Sequence, residues 1–371
     1  MKVLVTGGAG FIGSYVCEAL LSKNHEVVVL DNLDPQIHGE NSGWPNYMPI
    51  GTINHIGDVR DRLLVRKILQ GCDAVIHLAA AVGVGQSMYK IEHYCSVSVM
   101  GTAILLEEII PLKGQIKKII VASSMSIYGE GAYKNAKCET IYPKSRTIEQ
   151  LQKGQFELVD ANGKMLHPIG TDEEKPLKPE SVYAINKRDQ EEMCLSFGRA
   201  YNIPTVAFRM FNVFGARQAL SNPYTGVAAI FSSKLLQNEA PVVFEDGKQM
   251  RDFVHVEDVA QAYLMALENS GADGLALNLG SGSALNVIEI AETLAKVMGK
   301  DIKPIISKKY RDGDIRNCFA DITLIGEKLG WKPKYNFQNG AHTLLEWVLS
   351  QTDVKFIGDS YEELKKMGLL K

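Results

Sequence analysis

Short apolar runs alternate with amphipathic stretches through the first half of the chain. "KVLVT" (2–6), "EVVVL" (26–30), "AVIHL" (74–78), "KIIVAS" (118–123) and "TVAFRM" (205–210) are apolar at consecutive positions, not at every second one. A strand reads this way when both faces of its sheet are covered, as in a parallel sheet between two helix layers. Between these runs, "FIGSYVCEALLSKN" (11–24) and "VSVMGTAILLEEII" (97–110) have the spacing of helices. The strand–helix order predicts an α/β fold, a doubly wound parallel sheet.

The rhythm breaks between about 131 and 175, where the chain is polar and rich in lysine. Thr147 and Gln150 offer a capping box for a short helix, and Asn162-Gly163 sits between two β-prone runs as in a hairpin. The segment reads as a surface excursion, since an unstructured loop of that length is uncommon. After about Phe211 the pattern is less regular. Helices are expected in "VAAIFSSKLLQN" (227–238), "NVIEIAETLAKVMGK" (286–300) and "NGAHTLLEWVLSQ" (339–351), with a final one at 359–371 capped by Ser360 and Glu363. "LALNLG" (275–280) is expected to return to the main sheet. The division that follows is a larger domain over 1–210 and 253–280, bearing the 131–175 excursion, and a smaller α/β domain over 211–252 and 281–371.

Composition narrows the class. The chain has 371 residues, 46% hydrophobic and 22% charged, with a net charge of −3. That is a globular protein with a sizeable core and no basic excess of the kind nucleic-acid binding requires. The six cysteines are scattered without a CxxC pair, as expected for reduced intracellular thiols rather than disulfides or a metal site. The first strand opens at Lys2, leaving no room for a signal peptide. No apolar run is expected to reach the roughly 20 residues of a membrane span. The expected location is the cytoplasm.

"VTGGAGFIG" (5–13) links the first strand to the first helix, with Gly7, Gly10 and Gly13 spaced GxxGxxG and Phe11 and Ile12 opening the helix. Glycine permits the tight turn, the approach of backbone to a pyrophosphate and close helix–sheet packing, while the helix N-terminus faces the phosphates. Asp31 ends the second strand, where a carboxylate accepts from a ribose diol and repels a 2′-phosphate. Asn32, not an arginine, follows it, which favours NAD over NADP. Asp31 could also simply begin the "DNLD" turn. Asp58 and Val59 follow the third strand, where Asp58 could meet an adenine amino group or cap a helix. Leu78, Ala79 and Ala80 end the fourth strand with side chains small enough for a cofactor to lie against.

Tyr183 and Lys187 stand four residues apart in "SVYAINKRDQ" (181–190), a spacing that by itself describes many solvated helix faces. Ser124 ends the fifth strand in "ASSMSIYGEG" (122–131). The glycine loop, Ser124 and Tyr183-x-x-x-Lys187 together resemble the extended short-chain dehydrogenase/reductase family, and more narrowly its NAD-dependent nucleotide-sugar epimerases and dehydratases. "FRMFNVFG" (208–215), "RDFVHVEDV" (251–259), "LNLGSG" (277–282) and "RDGDIRNCFAD" (311–321) are similar to the family's later landmarks, in order.

The resemblance implies a Rossmann fold, NAD held and recycled, and a nucleoside-diphosphate sugar as substrate. It implies Tyr183 as general base, Lys187 easing its ionisation and holding the nicotinamide ribose, and Ser124 positioning the sugar hydroxyl. Lysine and the positive nicotinamide both favour a phenolate that would otherwise need a pH near 10. Related dehydratases carry an Asp-Glu pair after the serine, and related decarboxylases a Glu. This chain has Met125 and Ser126, which argues against both. No well-placed Cys/His pair suggests 3,5-epimerisation, a reading that stays open on sequence alone, and the resemblance implies 4-epimerisation through a transient ketosugar. Ser124, Ser126, Asn212, Arg251 and Arg316 match the substrate-side positions, two arginines suiting a pyrophosphate. Arg251 could instead pair with Asp252 or Asp258, and Arg316 with Asp314. Stretches such as "AAVGVGQSMY" (80–89) and the excursion are most like epimerases of dTDP-linked 6-deoxyhexoses, with UDP-hexoses and UDP-uronic acids also open. The family's excursion often carries several cysteines; only Cys138 is present, so no metal is expected. Ser98 stands where the family usually has Asn. The other readings are an NAD(P)H-dependent ketosugar reductase and a non-catalytic NAD-binding sensor. The family pattern also implies a homodimer through helices at about 97–110 and 183–201, with no nucleic-acid or membrane partner.

Overall fold

The computed structural model describes residues 1–40, 43–220, 226–311, 314–351 and 365–370. The helix expected at 359–371, with its Ser360/Glu363 cap, lies largely outside the described residues.

Five strands of the first half are β1 (Lys2–Thr6), β2 (Glu26–Asp31), β3 (Ile53–Ile56), β4 (Ala74–His77) and β5 (Lys118–Ser124). With Thr205–Met210 and Ala276–Leu279 they form one seven-stranded parallel sheet, ordered 276–279, 205–210, β5, β4, β1, β2, β3. The doubly wound expectation therefore holds, and "LALNLG" does return to this sheet. Alternate residues of each strand serve opposite cores. Val3, Val5, Val27 and Val29 pack with Val16, Leu20 and Tyr263 on one face. Leu4, Val28, Val75 and Val121 pack with Val65, Leu105 and Cys194 on the other. With both faces buried, consecutive positions are apolar, and burying each such side chain contributes about 1.5–3 kcal/mol. β3 breaks the rule because it lies at the sheet edge. Ile53 and Ile56 are exposed and Asn54 and His55 are polar, so no apolar run marks it.

The excursion is ordered. Ala132–Lys134 pairs antiparallel with Thr140–Ile141 and His167–Ile169. Thr147 caps Ile148–Gln152, accepting from the Gln150 amide at 3.2 Å, but the Gln150 side chain donates to Glu157 O at 2.7 Å, so only half of the capping box forms. The Asn162-Gly163 turn is present, with Gly163 at φ +78° and Leu166 donating to Leu158 O. A third core joins Phe214, Phe253, Ile290, Phe337 and Leu344 from the later helices and a small sheet built on Met250–His255.

One expectation needs correcting. The helical run Ile91–Leu112 spans 22 residues with a mean hydropathy of 1.6, so by length and composition it could cross a membrane. A six-residue π-helical turn, Cys95–Met100, sits inside it. Leu105, Leu106 and Ile109 of this run are buried in the second core.

Candidate active site

Parallel strands bring their C-terminal ends to one edge, and loops there are where such sheets bind ligands. The loop after β1 holds Gly7 at φ +72°, with its amide on Leu30 O at 2.8 Å. Gly10 precedes the helix Phe11–Ser22 and provides no side-chain cap. The three glycines differ in the space around them. A Cβ on Gly13 would meet Gly7 O at 2.2 Å, and one on Gly7 would meet the Ala79 amide at 2.9 Å. A Cβ on Gly10 would meet only Gly7 O, at 3.4 Å. Gly13 is thus needed for the close approach of the helix to the glycine loop, while Gly10 leaves an open approach to the first turn, where Phe11 and Ile12 are half-buried.

Asp31 ends β2 with its carboxylate accepting from Ala9 N at 3.0 Å and Leu33 N at 2.9 Å. It both begins its own turn and ties it to the glycine loop. Asn32 beside it is exposed and bonds Asp58. Asp58 is gripped by Arg60 Nε at 2.8 Å and Nη2 at 2.7 Å, and these bonds hold its carboxyl below its ordinary value. The neighbouring helix is capped by Asp61 instead. Val59 is buried, and Leu78, Ala79 and Ala80 are half-buried at the end of β4.

The reactive group forms where β5 ends against the helix Val182–Tyr201. Ser181 caps that helix. Tyr183 lies in its first turn, its phenol hydrogen-bonded to Ser124. Lys187 follows one turn later and donates to Ala122 O at 3.0 Å. Ser124 Oγ also accepts from Ser126 N at 3.2 Å and Ser126 Oγ at 2.9 Å. Burial pushes the Tyr183 phenol up, and the Ser124 bond acts against it. Burial brings the Lys187 ammonium down to about 8.

Two supporting residues escaped the sequence reading. Ser87, fully buried, accepts from Tyr183 N at 3.0 Å and donates to Val84 O at 2.6 Å, so it anchors the start of the catalytic helix. His77 bonds Thr6 Oγ1 at 2.7 Å and Thr102 Oγ1 at 2.9 Å. Burial, then the Lys187 charge, lowers its pKa to about 3, so it is neutral here. A serine 96 residues away leaves no local signal; a polar histidine closing an apolar strand was the available hint.

Ser98 Oγ, Ser123 Oγ, Asn186 Nδ2 and Gln190 Oε1 are buried without a hydrogen-bond partner, as is Asn212 Oδ1. Such atoms are costly unless something satisfies them. Together with the open approach at Gly10, they fit a polar dinucleotide along this edge.

The substrate-side residues divide. Arg251 donates to the carbonyls of Met250, Ile315 and Arg316 at 2.8–2.9 Å and reaches Asp314 at 3.5 Å, so its carboxylate is neither Asp252 nor Asp258. Arg316 is fully buried, its fork spent on Glu157, Glu245 and Asp246 rather than Asp314. Nothing of that guanidinium faces a ligand in this arrangement. Arg311 is the guanidinium with an open side. It pairs with Asp314 at 2.9 Å, lies over the Phe244 ring and has a 44% exposed side chain. Its signal was available as the first residue of "RDGD".

Residues 3–151 and 160–280 match the NAD dependent epimerase/dehydratase family. The chain is 34% identical to a dTDP-L-rhamnose 4-epimerase of Burkholderia thailandensis, covering 95% of this chain and 96% of that one. It is 30% identical to a UDP-glucose 4-epimerase of Bacillus subtilis, covering 95% and 98%. Among solved structures, UDP-glucose 4-epimerase from Thermotoga maritima with UDP-glucose superimposes with a TM-score of 0.77 at 29% identity, covering 95% of this chain and 100% of that one. UDP-glucuronic acid 4-epimerase from Bacillus cereus, solved with a UDP-sugar analogue and NAD, gives 0.75 at 26% identity, covering 94% and 99%.

Proposed function

The chain belongs to the NAD-dependent epimerase/dehydratase family, and we propose that it is a nucleotide-sugar 4-epimerase converting dTDP-L-rhamnose to dTDP-6-deoxy-L-talose. The observation that carries the reaction type is the Ser124–Tyr183–Lys187 arrangement with Met125 and Ser126, not carboxylates, beside it. The dTDP sugar is supported by the likeness to the Burkholderia enzyme. UDP-hexoses are the second reading, supported by the UDP-glucose 4-epimerases among the relatives.

Gly7, Gly10, Phe11, Ile12 and Gly13 would hold the pyrophosphate of NAD, and Asp31, Asn32, Asp58, Val59, Leu78, Ala79 and Ala80 the adenosine half. Tyr183 and Lys187 would meet the nicotinamide ribose. When bound, NAD supplies the hydride acceptor, the hydride donor for the return step, and a positive charge. Tyr183 takes the proton of the C4 hydroxyl, and that carbon becomes a ketone once its hydride is also lost to the acceptor that NAD would supply. Lys187 and Ser124 favour the phenolate during this transfer, by charge and by hydrogen bond. The ketosugar then presents its other face, and Tyr183 returns the proton as C4 is reduced. Ser126 and Asn212 face the sugar, and Arg311 receives the diphosphate, with the positive charge of Arg251 nearby. The sum is inversion at C4 with no net redox change.

We assign NAD binding to residues 1–210 and 253–280, and nucleotide-sugar binding to 211–252 and 281–371. The protein acts in the cytoplasm as a homodimer, a reading supported by Met100 and Ile185, exposed by 55% and 45% on the two helices expected at the interface. The test is turnover of dTDP-L-rhamnose and UDP-glucose by the purified protein with no added cofactor, products resolved by NMR at C4. Inversion at C4 supports the epimerase and identifies its sugar. Turnover only with added NAD(P)H and a ketosugar would replace it with a reductase.

A further inference from the structure

The excursion between about 131 and 175 plays no part in the chemistry above, yet two of its charged side chains, Arg146 and Glu157, pair with groups outside it. Arg146 is 1% exposed. It donates to Phe156 O within the excursion at 3.2 Å, to Glu245 Oε2 at 2.7 Å and to the carbonyl of Asp314 at 2.9 Å. Glu157 accepts from Arg316 Nη2. Arg316 also meets Glu245 at 3.0 Å and Asp246 at 2.7 and 3.0 Å. The amides of Arg316 and Asn317 donate to Glu130 at 2.7 Å each, and Tyr133 donates to the same carboxylate at 2.6 Å. Arg146 and Glu130 therefore bind the backbone of residues 314, 316 and 317, while Glu157, Glu245 and Asp246 hold the Arg316 side chain.

That backbone is where Arg251 is held, through the carbonyls of Ile315 and Arg316. Arg311 pairs with Asp314 from the other side. Burial acts to raise the Asp314 carboxyl, but Arg311, Arg251 and Arg146 together hold it below its ordinary value. One of those three guanidiniums comes from the excursion.

Stability is a poor account of this cluster. Charges taken out of water are expensive, and Arg146 Nε, Arg316 Nε and Glu245 Oε1 have no hydrogen-bond partner among the described residues. Apolar side chains of the same volume would hold the segments together at least as well. Directional ion pairs add register, which apolar contact does not. We propose that the excursion is a positioning device for substrate affinity. Through Arg146 and Glu157 it sets the placement of residues 314–316, and with them Arg251 and Arg311. This inference rests on the nucleotide-sugar reading of the site.

Glu157→Gln is the informative variant, because the Glu157 side chain is 42% exposed and Arg316 keeps two other carboxylates. Arg146→Lys is the second; it keeps the charge and loses the fork. Both are compared with the unmodified protein in kcat, KM, bound NAD and Tm, and by titration with UDP and dTDP. The expected result is a rise of about tenfold or more in KM and in the Kd of the preferred nucleotide, the scale of one charge-assisted bond. kcat stays within about twofold and NAD content is unchanged. An unchanged KM in the folded variants overturns the proposal, as does a parallel fall in kcat, NAD content and Tm, the mark of a merely structural role. If the unmodified protein binds neither UDP nor dTDP, the nucleotide-sugar reading is what fails, and the inference falls with it.

Discussion

Alanine at Gly10 and at Gly13 makes the same chemical change three residues apart and should give two different outcomes. At Gly13 the new Cβ lies 2.2 Å from Gly7 O and 2.7 Å from Gly8 Cα. Both are backbone atoms, and nonbonded heavy atoms settle about 3.5 Å apart, so the helix must shift by roughly 1 Å. Overpacking of that kind costs about 1–3 kcal/mol, before any effect on a ligand. At Gly10 the backbone is extended, at φ −70° and ψ 175°, and the nearest atom is 3.4 Å away. The fold should tolerate the methyl, with Tm within about 3 °C of the parent. The methyl would instead occupy the approach to the first helical turn. Displacing a phosphate from those amides forfeits one or two charge-assisted bonds, about 3 kcal/mol or on the order of 100-fold in Kd. The assay is NAD released by heat from the purified variants, read beside thermal unfolding. Gly10→Ala should be stable and depleted of NAD; Gly13→Ala should be depleted and destabilised. A Gly10→Ala protein that keeps full NAD and full turnover would refute the assignment of this loop to the pyrophosphate.

Three further outcomes are expected. Tyr183→Phe should retain NAD and lose about 10²–10⁴-fold in kcat, and full turnover by this variant would rule out a phenol base. His77 titrates at about 3 when folded against about 6.5 unfolded, so its contribution is fully present above pH 6.5 and is lost as pH falls toward 3. His77→Asn should therefore lessen the loss of stability between pH 6.5 and 4.5 by about 2 kcal/mol, and parallel Tm–pH curves for the two proteins would contradict this. Glu191 makes three bonds of 2.7–3.2 Å to buried Arg209, whereas Glu192 pairs with Arg188 at the surface. Glu191→Gln should cost about 3–5 kcal/mol in urea unfolding and Glu192→Gln under about 0.5, and similar losses from both would show that burial is not what matters.

Much of the architecture was readable along the chain. Val3 to Val5 and Val27 to Leu30 are apolar at every position because each strand faces two cores, and that leaves a continuous run in the sequence. Gly7, Gly10, Gly13 and the Tyr183/Lys187 pair were readable because their roles depend on backbone conformation or on one helical turn. β3 was harder to see, since an edge strand with exposed Ile53 and Ile56 has no need of an apolar run.

The sequence by itself determined the doubly wound sheet and the glycine loop, and it marked out the candidate reactive residues, each from neighbours within a few positions. Only the tertiary structure decided which groups meet. It put the Ser87 hydroxyl on the Tyr183 amide across 96 residues. It enclosed Arg316 among Glu157, Glu245 and Asp246, which lie 159, 71 and 70 residues away, and left Arg311 with the open face. A charged side chain is identical in sequence whether it faces a ligand or a buried partner. The difference is set by desolvation and by which counter-charges the folded chain brings within hydrogen-bond reach.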